Sequence, residues 1–303
     1  MTDEQLQKSI ILLGPSCVGK SLLAGELSTR LNIPKINIDD LIAIIELEQN
    51  GYLDATAEKQ KKYVENTINE ILNYPDLRET LIDEKYVETE KRLITNIVDL
   101  YNYYHDMLGD FKPFYDIITK HDHVLNHVKY CNESICYLNH VTNELLSIIL
   151  SIVNQPVIID PPASFGWQAT NSLDFATKLR LKRSILHLDA EKCEVIMNDI
   201  LSKSQTVLLV PGLDYKFRNA FKEINANNLI LEHLDNYYCA NIEISTNGLF
   251  NSPDNKYLKQ RTWLDAREVL VKEQLKNNSE ISNICDQVLI SLEELHTSQN
   301  TLG

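Results

Sequence analysis

The chain has 303 residues, 44% hydrophobic and 24% charged, a balance that excludes disorder, collagen and coiled-coil repeats and suits one large domain or a core with a substantial insertion. Forty-three acidic against 29 basic residues give a formal charge of −14, a field that disfavours nucleic acid and anionic membranes as partners. Any phosphate bound by such a chain must be held locally, and with only 9 glycines in the sequence, each is expected where the backbone needs it.

The N-terminus MTDEQLQK is polar and no signal-peptide core follows it. No run reaches the ~18 apolar residues that a membrane helix needs, so the expected location is the cytoplasm. The six cysteines (Cys17, Cys131, Cys136, Cys193, Cys239, Cys285) form no C-x-x-C pair and read as free thiols of a reducing compartment.

The first 54 residues read strand, loop, helix, strand, helix. The apolar run Ser9 to Leu13 predicts a strand. Leu23, Leu27 and Leu31 fall near helical spacing, and Asn32 with Pro34 ends that helix, because proline cannot continue the backbone ladder. A second strand is expected over 35–38 and a second helix from near Leu41. Residues 55–149 hold one glycine and two prolines and read as a helical insertion, with amphipathic stretches at Tyr63, Thr67, Glu70 and Ile71, at Leu93, Ile97, Leu100, Tyr101 and Tyr104, and at Leu138, Val141, Leu145, Ile148 and Ile149. Three short apolar runs, 156–160, 206–210 and 240–244, then suit buried strands of a mostly parallel sheet. Two closing helices follow, the first around Trp263, Val269, Leu270 and Leu275, the second around Ile281, Ile284, Val288 and Leu292. A polar, frayed tail is expected from His296.

Gly14-Pro15-Ser16-Cys17-Val18-Gly19-Lys20-Ser21 satisfies G-x-x-x-x-G-K-[ST], with an apolar strand before it and a helix after it. Glycines let consecutive N–H groups turn inward around phosphate oxygens, and the following helix adds its positive end. Lys20 would reach the β- and γ-phosphates and the Ser21 hydroxyl would ligate Mg²⁺. The expected fold is therefore α/β: a three-layer P-loop NTPase core over 1–54 and 150–298 with a five-stranded parallel sheet, the large helical insertion over 55–149, and a tail over 299–303.

Asp39 and Asp40 follow the second strand, where ligands gather in a doubly wound sheet. Phosphoryl transfer needs a positioned carboxylate, for which Asp39 is the candidate, while Asp40 suits a helix N-cap. Asp160, closing Val157-Ile-Ile-Asp, has the form of a metal-holding strand-end carboxylate. Of eight arginines, Arg218, with Lys216 beside it, lies between the fourth and fifth strands and is the candidate for a mobile cation at the γ-phosphate; Arg261 and Arg267 come later. Arg180 and Arg183 share a helical face able to grip an anion. His123 and His127 have a zinc-compatible i, i+4 spacing without an intervening glutamate motif, and Tyr101, Tyr103, Tyr104 and His105 could stack a ring or pack their own subdomain.

The run IILLGPSCVGKSLLAGELSTRLNIPKINIDDLI resembles the opening of the shikimate kinase family among P-loop small-molecule kinases. That family carries an Asp-x-Asp motif whose second aspartate binds the substrate hydroxyl and serves as base; the match puts it on Asp39, with Asn37 at the first position. The resemblance implies a triglycine substrate loop after the third strand, where this chain has Asp160-Pro-Pro-Ala-Ser-Phe-Gly, so a different acceptor contact is expected. The same opening is similar to tRNA isopentenyltransferases, with Asp40 where they carry serine. The expected activity is transfer of the γ-phosphoryl group of ATP to a hydroxyl of a small molecule, with ATP and Mg²⁺ as cofactors and neither nucleic acid nor membrane as partner. Nucleotide binding without turnover, a tRNA-directed transferase and a toxin-type kinase are the alternatives.

Overall fold

A computed structural model describes residues 7–14, 18–49, 51, 97–118, 133–161, 190–210, 240–250, 272 and 274–301. Its centre is a five-stranded sheet, all parallel, built from β1 (Ser9–Leu13), β2 (Lys35–Asn37), β3 (Ile158–Asp160), β4 (Ser204–Val210) and β5 (Ile242–Ser245). The spatial order is β2-β3-β1-β4-β5. All five strands fall where the apolar runs predicted them, with ends shifted by at most two residues. Strand β1 lies in the middle and every one of its residues is buried, as expected for a strand covered on both faces.

Helix α1 (Lys20–Leu31) carries the chain from β1 towards β2, and α2 (Ile38–Gln49) follows β2 directly. Leu23, Ala24, Leu27 and Leu31 form the buried stripe of α1. The helix stops at Asn32, which adopts a left-handed conformation (φ 52°) two residues before Pro34. Further along lie α3 (Ile97–Leu108), α4 (Glu133–Ile152), α5 (Ala190–Lys203) and α6 (Asn278–Thr301), with a short 3₁₀ turn at Asn247–Phe250 after β5. The β1-to-β2 and β3-to-β4 connections run in opposite directions across the sheet. Right-handed crossovers therefore put α1 and α5 on opposite faces. Helix α6 packs on α1 and α4 packs on α5. Arg30 joins α1 to α6 by hydrogen bonds to Asp286 and Ser282, and is steadied within α1 by Glu26.

Three details depart from the sequence reading. Strand β2 ends at Asn37, and α2 begins at Ile38, earlier than expected, because the Asn37 side chain caps it: Asn37 Oδ1 accepts from the Asp40 N–H at 3.0 Å. Asp39 therefore stands in the first helical turn instead of at a strand end. The tail expected from His296 continues α6 to Thr301, with the Thr297 and Ser298 hydroxyls donating back to the Glu293 and Glu294 carbonyls. The stretch around Tyr63 and the closing stretch at Trp263, Val269 and Leu270 lie outside the described residues. No helix among the described residues is long and apolar enough to cross a membrane. Cys285 is a buried free thiol; burial, only partly offset by Arg30, pushes its pKa up to about 11.

Helix α3 and the helical stretch 112–118 dock on β2 and α2. Phe111, fully buried, makes edge contacts with Tyr101, His105 and Phe114. Phe111→Ala should cost about 3–5 kcal/mol, the usual loss for a buried phenylalanine. Chemical denaturation would read it as a lower midpoint.

Candidate functional site

The glycine-bordered segment leaves the carboxyl end of central strand β1 and leads into α1. Its two glycines have separate reasons to be glycine. Gly14 has φ 137°, and a Cβ there would lie 2.8 Å from the Leu209 carbonyl oxygen of β4. Gly19, at φ 103°, precedes the first residue of α1, and its Cβ would meet Leu249 Cδ1 at 2.7 Å. Leu249 sits in the 3₁₀ turn after β5. That turn is held by Thr246 N–H on the Val210 carbonyl (2.9 Å), Leu249 N–H on the Thr246 carbonyl (3.0 Å) and Asn277 Nδ2 on the Leu249 carbonyl (3.1 Å). The sequence reading did not include this turn in the site, although Asn247-Gly248 just past a strand is a turn signal.

Lys20, 8% exposed, donates from Nζ to the Gly14 carbonyl at 2.9 Å, so its ammonium reaches back to the residue that follows β1. Ser21, next in α1, donates from Oγ to Asp160 Oδ2 at 2.6 Å. Asp160 is 5% exposed at the end of β3. A second donor reaches the same oxygen: Asn37 Nδ2, at 3.0 Å. Asn37 and Asp160 are register partners on adjacent parallel strands, which puts their side chains on one face of the sheet. Predicted residues from β1–α1 and β3 thus converge, and Asn37 joins them from β2.

The two aspartates of α2 occupy different environments. Asp39 is exposed, whereas Asp40 is half-buried, and burial followed by the charge of Asp160 raises its pKa, with Lys35 acting in the opposite direction. Asp40 receives the N-cap hydrogen bond through its backbone and does not supply the cap. Pro15, Ser16, Cys17, Lys216, Arg218, Arg180, Arg183, Arg261, Arg267, His123 and His127 lie outside the described residues.

The tyrosines of α3 have a role that neither stacking nor simple packing anticipates. Strand β2 is an edge strand, and its outward backbone groups face α3. The Tyr103 hydroxyl accepts from Lys35 N–H (3.0 Å) and donates to the Lys35 carbonyl (2.7 Å). The Tyr104 hydroxyl does the same for Asn37, at 3.1 and 3.3 Å. One helix thereby satisfies four edge groups with two hydroxyls. Tyr101 and Tyr115 donate to the two carboxylate oxygens of Glu48 on α2, and burial with the adjacent Glu48 pushes Tyr115 up to about 12.

Among the described residues no three His, Cys, Asp or Glu side chains converge. Ser21 and Asp160 offer a hydroxyl and a carboxylate, hard oxygen donors of the kind Mg²⁺ takes when phosphates and waters supply its other ligands. The pair fits that ion. No protein-family model matches the chain, and no curated protein or solved structure is significantly similar to it.

Two outcomes are expected. Gly14→Ala meets backbone and should destabilise strongly, whereas the clash of Gly19→Ala is with a side-chain end and should be partly relieved by Leu249→Ala; thermal melts of the single and double variants would separate them. Asp40→Asn removes a carboxylate whose charged form the fold disfavours. A raised folded-state pKa costs stability as pH rises through it, so the variant should melt higher than the parent at pH 7 and lose that advantage as the pH falls below the ordinary aspartate range and the carboxyl becomes neutral folded and unfolded alike.

Proposed function

We propose that the protein is an ATP-dependent phosphotransferase that moves the γ-phosphoryl group to a hydroxyl of a small molecule, on a P-loop NTPase core to which residues 55–149 add helices. The observation that carries this reading is the Ser21–Asp160 hydrogen bond of 2.6 Å, which joins the last residue of a G-x-x-x-x-G-K-S segment to the carboxylate ending a neighbouring parallel strand. The strand order supports it as well. Chain connections leave β1 and β4 in opposite directions, opening a crevice at their carboxyl ends, the usual ligand position in such sheets.

In this reading Lys20 exchanges the Gly14 carbonyl for phosphate oxygens and offsets their charge. Ser21 donates a hydrogen bond from its hydroxyl to Asp160, leaving oxygen lone pairs free to face a metal. Ser21 and Asp160 would hold a Mg²⁺ ion, whose positive charge would offset that of the phosphates. The acceptor oxygen bonds to the γ-phosphorus as the bond to the bridging oxygen of ADP breaks, and the acceptor proton passes to a carboxylate, here Asp39 on the exposed start of α2. Arg218 remains the candidate for the added cation. The protein would act as a soluble cytoplasmic enzyme on a small hydroxylated substrate.

A second reading, nucleotide binding without turnover, is favoured by Asn37 at a position where the resembling kinases carry an aspartate. The two separate experimentally. Lys20→Ala should abolish ATP binding under either reading. Asp39→Asn should lower kcat by about 10²–10³-fold with little change in the KM for ATP, the pattern of a lost proton acceptor. A screen for ADP release over hydroxylated metabolites supplies the substrate for that measurement. Release with none of them, despite tight Mg·ATP binding, supports the second reading.

A further inference from the structure

We propose that Asn37, fixed by the Tyr104 hydroxyl, is a positioning residue that sets the Asp160 carboxylate for the metal, so that α3 tunes the Mg²⁺ dependence of nucleotide binding. The inference rests on the nucleotide-binding reading above and extends it to a residue and a helix outside the glycine-bordered segment.

Three features carry it. Both ends of the Asn37 amide are committed, Nδ2 to Asp160 Oδ2 at 3.0 Å and Oδ1 to the Asp40 N–H at 3.0 Å. Turning the amide over would place NH₂ against N–H and oxygen against carboxylate, so its orientation is determined. The donor is neutral. It stabilises the Asp160 charge and competes for no metal position, whereas an aspartate at 37 would set two carboxylates side by side in register.

The backbone beneath that amide is held from both sides. Strand β2 is three residues long and, among the described residues, pairs only with β3. On its open edge the Tyr104 hydroxyl engages both the N–H and the carbonyl of Asn37, and Tyr104 is 2% exposed, so the hydroxyl is fixed by a packed ring. The resulting chain runs from Tyr104 through Asn37 and Asp160 to Ser21, from α3 across β2 and β3 to the start of α1. Tyr103 makes the equivalent pair of bonds at Lys35, a strand residue whose side chain is exposed. It therefore serves as an internal control, since it caps the same edge without touching the amide.

The test is a Mg²⁺ titration of ATP binding by the full chain, followed by calorimetry or with a fluorescent ATP analogue, beside a binding measurement in EDTA. Outer partners of metal ligands change metal affinity by about 10–100-fold when removed. Asn37→Ser keeps a helix cap but cannot reach Asp160, and it should raise the Mg²⁺ midpoint about tenfold. Tyr104→Phe should raise it about threefold. Neither should change binding in EDTA, and Tyr103→Phe should lower the melting temperature with the Mg²⁺ midpoint unmoved.

Wild-type Mg·ATP binding with unmoved midpoints in folded Asn37→Ser and Tyr104→Phe overturns the proposal and leaves the nucleotide reading standing. An equal loss with and without metal overturns it in the same way, because it indicates general damage. A wild-type chain that binds no ATP overturns both, and one that binds ATP indifferently to Mg²⁺ overturns this proposal alone.

Discussion

Asp160 Oδ2 accepts hydrogen bonds from Ser21 Oγ and Asn37 Nδ2, and on that one oxygen three segments of chain meet. A carboxylate 5% exposed would be costly without such partners, since burial strips the water that stabilises its charge. Charge-assisted hydrogen bonds offset that cost and in return fix where the start of α1 and the end of β2 stand relative to β3. The arrangement depends on register. A slip of one residue between β2 and β3 would turn Asn37 to the opposite face and leave Asp160 with half its partners.

The β2 edge is where a short sheet would be weakest. Three residues paired on one side cannot hold a side chain accurately, and the Tyr103 and Tyr104 hydroxyls supply the ladder that a sixth strand would have provided. Tyrosine suits the task because one rigid ring carries an oxygen that both donates and accepts. Glu48 receives Tyr101 and Tyr115 from the same helical region, so α3 and the stretch 112–118 are tied to α2 as well. The helices over 97–118 are thus bonded both to β2 and to α2, the element that presents Asp39 and Asp40.

Local pattern made most of this fold legible. Short apolar runs between Pro, Gly and Asn mark buried parallel strands clearly, and leucines at helical spacing mark α1, because both signals depend only on neighbours in sequence. The Gly14-to-Ser21 segment is legible for the same reason. Asn37 shows the limit: against the kinase motif that the sequence resembles it reads as a missing acid, yet its role as clamp depends on a register partner 123 residues away. A cap signal was present, since Asn37 precedes an acidic first turn. The tyrosines of α3 could be assigned to a cluster but not to the strand edge, and nothing local links Arg30 to Asp286 across 256 positions.

The charge of −14 and the local chemistry can now be set against each other. Asp39, Asp40 and Asp160 stand near the carboxyl ends of β2 and β3, and the −14 field adds to theirs. Backbone N–H groups, the positive end of α1 and Lys20 oppose that field only within a few ångströms, while salt at physiological strength screens the distant acids beyond ~8 Å. A triphosphate arriving with Mg²⁺ carries less net charge than one arriving alone, so an acidic surround favours the metal complex over the free nucleotide. On the proposed reading, the surround that disfavours a polyanion would discriminate between forms of a small one, and the neutral amide of Asn37 would keep that discrimination from becoming repulsion at Asp160 itself.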